Sequence, residues 1–120
     1  MNKKLIMSAL LGSIFSAAPA QSLTPMFTDV DCGQMLFRQN TAITVELRNN
    51  TAQAVTIKDI DTGCGCAVAE YDKGEIMPGT TTKVKIVFDG KQLGYFIRNV
   101  RVTDSSSATP AEINIRGQVV

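Results

Sequence analysis

The chain has 120 residues, 12 lysines and arginines against 11 aspartates and glutamates, three cysteines and no histidine. Its length suits one domain. Without histidine, Ser-His-Asp and Cys-His catalysis, most zinc sites and a switch titrating near neutral pH are excluded. The near-zero net charge, with basic residues scattered, lacks the electrostatic footprint of a nucleic-acid binder.

The chain opens with the basic stretch Met1-Asn2-Lys3-Lys4, continues uncharged and mostly apolar from Leu5 to Ala17, and reaches Ala18-Pro19-Ala20. Basic start, apolar middle and A-x-A site predict a secretory signal peptide over 1–20, cut after Ala20. The apolar run would be roughly 20 Å long as a helix, against the roughly 30 Å core of a bilayer. Stable membrane insertion of the mature chain is therefore not expected. No cysteine follows the apolar run closely, so a lipid anchor is not expected either. Without Lys3 and Lys4, ten basic residues face eleven acidic ones, and no polybasic membrane patch is present. The expected address is periplasmic or extracellular, associated with the cell envelope.

The segment 21–120 is read as one domain, and its dominant period is two. Strands are expected over 26–30, 34–38, 42–49, 54–61, 81–88, 95–103 and 111–119, with a short edge strand over 64–72. Ile43, Val45 and Leu47 alternate with Thr44, Glu46 and Arg48; Val84, Ile86 and Phe88 alternate with Lys83, Lys85 and Val87; Ile113, Ile115 and Val119 alternate with Asn114, Arg116 and Gln118. Each run would bury one face and wet the other. Phe96 and Ile97 are adjacent, which breaks the alternation as a bulge would. Turn formers separate the runs: Asn49-Asn50, Pro78-Gly79, Asp89-Gly90, Gly94 and Ser105 to Ser107. Short strands with turns every ten or so residues, in a mature chain of about 100, predict an all-β fold: a single immunoglobulin-like β-sandwich of about seven strands.

Carboxylates are paired at Asp29 and Asp31 and at Asp59 and Asp61, each pair on one face of a strand. Such pairs serve glycoside hydrolysis or calcium binding, but their place beside cysteine and glycine turns suits solvated strand ends. Asn49-Asn50-Thr51 matches a glycosylation acceptor and is equally explained as a turn.

The unusual feature is Gly63-Cys64-Gly65-Cys66, with a third cysteine at Cys32. An exported chain tends to carry oxidised thiols. Cys32 could pair with Cys64 or Cys66 as a staple. Alternatively, Cys64 and Cys66 could form a redox pair, which requires Gly65 to fold the chain tightly, because in an extended strand the two lie about 6.6 Å apart. Their thiolates, with Cys32, are also candidates for a soft metal such as Cu(I). No cofactor is expected, and no catalytic constellation is present.

With these residues the chain resembles the bacterial family known as domain of unknown function 1573. The resembling parts are Phe27-Thr28-Asp29-Val30-Asp31-Cys32-Gly33, Arg48-Asn49-Asn50-Thr51, the turn Gly63-Cys64-Gly65-Cys66-Ala67, Ile76-Met77-Pro78-Gly79, Val84 to Asp89, and Ile115-Arg116-Gly117-Gln118-Val119. The resemblance covers about 27–119 and implies an exported immunoglobulin-like sandwich, with no assigned activity. Cys32 stands where the family has an aromatic, and Gly63 and Ala67 replace hydroxyl residues around the cysteines. If that aromatic packs under the turn, Cys32 would lie near Cys64 or Cys66.

The function expected is a non-catalytic binding or assembly module whose partner is another envelope protein. A free sheet edge is the expected route, at the N-terminal strand or the segment after Cys66. The alternative is a thiol-based role of the Cys-Gly-Cys turn.

Overall fold

The computed structural model describes residues 22–106 and 109–120. The export signal expected over 1–20 lies outside the described residues, as does Ser107 of the serine turn. The chain is all-β among these residues, with β1 (Leu23–Pro25), β2 (Asp29–Met35), β3 (Thr41–Asn49), β4 (Ile57–Asp61), β5 (Ala67–Tyr71), β6 (Thr81–Phe88), β7 (Gly94–Asp104) and β8 (Ala111–Val119). Two four-stranded sheets form, one ordered β1-β3-β6-β5 and the other β2-β8-β7-β4. All pairings are antiparallel except β2 with β8, which run parallel.

The inward side chains of the alternating runs meet between the sheets. Leu47, Val84 and Ile86 face Val100, Val102, Ile113 and Ile115, and all seven are fully buried. Burying one such side chain stabilises the fold by about 1.5–3 kcal/mol. The clean alternation of Thr81–Phe88 and Ala111–Val119 puts every second residue in this core.

The first two strands differ from expectation. Met26 and Phe27 do not belong to a strand over 26–30; they cross between sheets, 60% and 71% exposed. The Met26 amide donates to the Glu46 carbonyl of β3, and the Asn114 amide of β8 donates to the Thr28 carbonyl. The chain thus leaves one sheet and joins the other within three residues. Leu36 and Phe37, placed in a strand over 34–38, form a turn, with Arg38 at φ 63°. Val55 makes an isolated bridge with Ile76 before β4 begins.

No bulge occurs at Phe96 and Ile97. Phe96 pairs with Gly117 and Ile97 with Arg116 in unbroken register. The alternation slips because Ile97 is an outward apolar residue, 68% exposed. The register shifts fall instead on β2, between Asp31 and Gln34, and on β4, between Ile57 and Asp59.

Candidate functional site

The Cys-Gly-Cys turn lies where the chain passes from β4, an edge of one sheet, to β5, an edge of the other. This crossing is closed by local bonds. The Asp61 carboxylate accepts the Gly63 amide at 2.8 Å. The Thr62 hydroxyl is buried and lies 3.0 Å from the Cys64 carbonyl and 3.2 Å from that of Ala67, so it ties both ends of the turn. Gly63 sits at φ 78°, and a Cβ there would approach the Asn99 carbonyl oxygen to 3.0 Å; only glycine fits without displacement.

Within this turn Cys64 and Cys66 are bonded, with sulfurs 1.99 Å apart and Cα atoms 5.2 Å apart. The Cys66 amide donates to Cys64 Sγ at 3.3 Å. Both cysteines are half-buried and Gly65 is exposed. The Asp89 amide donates to the Cys66 carbonyl at 3.0 Å, so the β6–β7 turn braces the disulfide from the other side. A loop this short gains little from closure: about 1.5 kcal/mol in the chain-entropy model, against roughly 3.5 for the Cys32 staple considered from sequence.

Cys32 takes no part in a disulfide. It belongs to β2, beside β8, and its thiol donates to the Arg116 carbonyl at 3.2 Å and lies 3.8 Å from Met35 Sδ. It packs over Gly117, where a Cβ would come within 2.6 Å of its sulfur and 2.9 Å of the Phe96 ring. The missing side chain at Gly117 therefore makes the space that Cys32 fills. Burial pushes the Cys32 thiol above its ordinary range, a backbone hydrogen bond opposes this and the neighbouring Asp31 charge adds to it. The three cysteines do not converge on a metal position; among the described residues no group of three or more histidine, cysteine or acidic side chains does.

The residue that sequence reasoning missed is Arg98. It follows the inward parity of β7, two residues before Val100 and opposite Ile115 of β8, yet it is only half-buried. Its Nη1 donates to the Ile97 carbonyl at 2.9 Å, and its Cζ lies 5.8 Å from the centre of the Phe96 ring. Its Nε is buried and has no hydrogen-bond partner. Leaving such a group unpaired costs about 1–3 kcal/mol. Arg98 forms no ion pair among the described residues. It lines an open groove of about 410 Å³ together with Cys64, Gly65, Cys66, Asp89, Lys91 and Gln92. The signal was parity: counting back by twos from Val102 and Val100 reaches Arg98.

The remaining candidates have structural roles. Asp29 and Asp31 are exposed on β2, and Asp31 lies 3.7 Å from Arg116. Asp59 is exposed, and Asp61 caps the turn as described. Asn49, in the apparent glycosylation acceptor, is fully buried. Its Nδ2 donates to the carbonyls of Gln53 and Ile76, each at 2.8 Å, and its Oδ1 accepts from the Thr51 amide and hydroxyl.

Two sheets of this order, sharing one core and entered by a strand parallel to the last, define an immunoglobulin-like sandwich. The chain belongs to the family described as "Protein of unknown function (DUF1573)", whose model matches residues 24–119. Among solved structures it is similar to PapD-like domain 7 of human CEP192, at 12% identity and TM-score 0.69 over 98% of each chain. It is also similar to a protein of unknown function from Porphyromonas gingivalis W83, at 22% identity and TM-score 0.65, over 88% of this chain and 51% of that one. The VesB protease of Vibrio cholerae matches at 11% identity and TM-score 0.64, over 81% of this chain and 32% of that one. The chain thus spans about a third of the protease and about half of the Porphyromonas protein. At these identities the likeness is one of fold. No curated protein matches the chain.

Proposed function

We propose that this chain is a non-catalytic exported module that binds another protein of the cell envelope through the end of the sandwich where Cys64 and Cys66 lie. The observation that carries this reading is a run of exposed apolar side chains at that end. Leu36 is 56% exposed, Leu93 65%, Tyr95 85%, Ile97 68% and Val120 44%. Backbone bonds hold them side by side. The Phe37 amide donates to the Val120 carbonyl and the Arg38 amide to that of Gly90. Gly94 pairs with Val119 and Tyr95 with Gln118. Single exposed apolar residues need no explanation, but a cluster on a small domain marks an interaction surface.

This route differs from strand addition at an edge. β1 has three residues including Pro25, β5 has five, and β2 and β4 both break register. Short and irregular edges are poor templates for an added strand. The absence of histidine from the whole chain supports the non-catalytic part of the reading.

The test is crosslinking in intact cells of a bacterium expressing the full chain. A photoreactive residue replaces Tyr95 in one variant and Thr81, on the outer face of the other sheet, in a second. A discrete adduct with one envelope protein at position 95 and none at position 81 is expected. No adduct at 95, or the same adducts at both positions, would overturn the reading.

A further inference from the structure

We propose that the Cys64–Cys66 bond is a thiol–disulfide exchange site that accepts two electrons from a neighbouring pair of cysteine thiols on another polypeptide. Four independent observations converge on it. The bond joins residues two apart, so it tethers nothing distant in the fold. Its sulfurs are half-buried beside an open groove, within reach of an incoming thiolate. The Cys66 amide already points at Cys64 Sγ, where negative charge appears when the bond opens. The groove is also lined by two cationic side chains, Arg98 and Lys91, against one carboxylate, Asp89, and the Nε of Arg98 is buried without a partner. A native structure leaves few buried donors unpaired, and each one left calls for an explanation.

The chemistry follows from which sulfur can leave. A thiolate of the donor attacks Cys66 Sγ, the Cys64–Cys66 bond breaks, and Cys64 departs as a thiolate. The Cys66 amide and the field of Arg98 and Lys91, two cations against the single opposing carboxylate of Asp89, stabilise that charge. The donor is now joined to Cys66 by a mixed disulfide. Its second thiol, deprotonated, attacks its own sulfur in that bond, and Cys66 leaves as a thiolate. The donor ends with one disulfide and the chain with two reduced cysteines. The two protons of the donor dithiol pass to Cys64 and Cys66 or to water, according to pH. Cys32 takes no part, since it lies on β2 with its thiol above the ordinary range. Exchange favours a leaving thiol that is easily ionised, and here the groove supplies that property to Cys64.

The inference does not rest on the docking surface, because exchange is read with a synthetic peptide carrying two cysteines. Full-length protein with Cys32→Ser, so that only two thiols report, is incubated oxidised with the reduced peptide. Oxidised peptide and reduced protein should form one to one, by mass. After reduction, thiolate absorbance against pH should show one thiol ionising at least one unit below the ordinary thiol value of about 8.5. Arg98→Gln and Lys91→Gln should each raise that midpoint and slow exchange several-fold, while Arg98→Lys should restore it. Lys91 is exposed, so its variant reads the field even if Arg98→Gln does not fold. An ordinary midpoint in the parent protein, or a bond that a hundredfold excess of peptide dithiol leaves intact, would overturn the proposal.

Discussion

Asn49 shows how one side chain can carry two readings. In the sequence it opens an Asn-Asn-Thr triplet; in the fold it is a buried plug that joins three chain segments through four hydrogen bonds. A sugar could not be attached to its Nδ2 without removing it from the core. Asn49→Asp keeps the shape and the acceptor for Thr51, but loses both donors and places a charge where the exposure is 0%. Two lost amide hydrogen bonds and a desolvated carboxylate facing the Gln53 and Ile76 carbonyls predict a loss of about 3 kcal/mol or more. Urea denaturation checks this as a lower midpoint with an unchanged slope. A change under about 1 kcal/mol would mean that the amide is not bonded as described.

At the scale of elements, β7 is the informative strand. Its inward residues run Phe96, Arg98, Val100, Val102 and its outward ones Tyr95, Ile97, Asn99. Truncating neighbours on opposite faces should therefore have unequal effects. Phe96→Ala removes a ring that lies 5.2 Å from that of Phe88 and covers Gly117, and should cost about 2–3 kcal/mol. Ile97→Ala should stay within about 0.5 kcal/mol, since the side chain is mostly in water. Thermal or urea unfolding of the two variants decides between continuous register and a bulge. The same contrast explains what could be read in advance. β6 and β8 alternate almost throughout, with Val87 the outward apolar exception, so their bounds, 81–88 and 111–119, are those expected from periodicity. β2 is Asp-Val-Asp-Cys-Gly-Gln-Met, too polar and too irregular to show a period, while the apolar pairs Met26-Phe27 and Leu36-Phe37 drew strands onto a crossing and a turn. The cysteine turn was conspicuous by spacing alone. Its pairing was not, because what places Cys32 elsewhere is the parallel partnership of β2 with β8, a contact between residues more than eighty positions apart. Arg98 was hidden for a related reason: an arginine in an alternating strand reads as solvated until the parity of its neighbours is counted.

For the whole molecule, the question is what holds the two sheets together. The chain crosses between them five times, through residues 26–28, 36–40, 50–56, 62–66 and 89–93, and among the described residues only the crossing through 62–66 carries a disulfide. That bond closes a loop too short to restrict the unfolded chain much, so its removal should lower stability by about 1.5 kcal/mol. A domain of this size has about 5–15 kcal/mol in hand, supplied by the buried Leu, Val and Ile side chains between the sheets. The reduced protein should therefore stay folded, with unchanged β-sheet circular dichroism. Its urea midpoint should fall by about 1–1.5 M for a slope near 1 kcal/mol/M, and the Cys64→Ser/Cys66→Ser variant should match it. This is also what reversible exchange requires, since a site that unfolded its own domain on reduction could not be reoxidised in place. Collapse of the reduced chain in the absence of denaturant would show the opposite: a sandwich whose apolar core is insufficient alone, and a bond whose work is to keep the β4–β5 crossing closed.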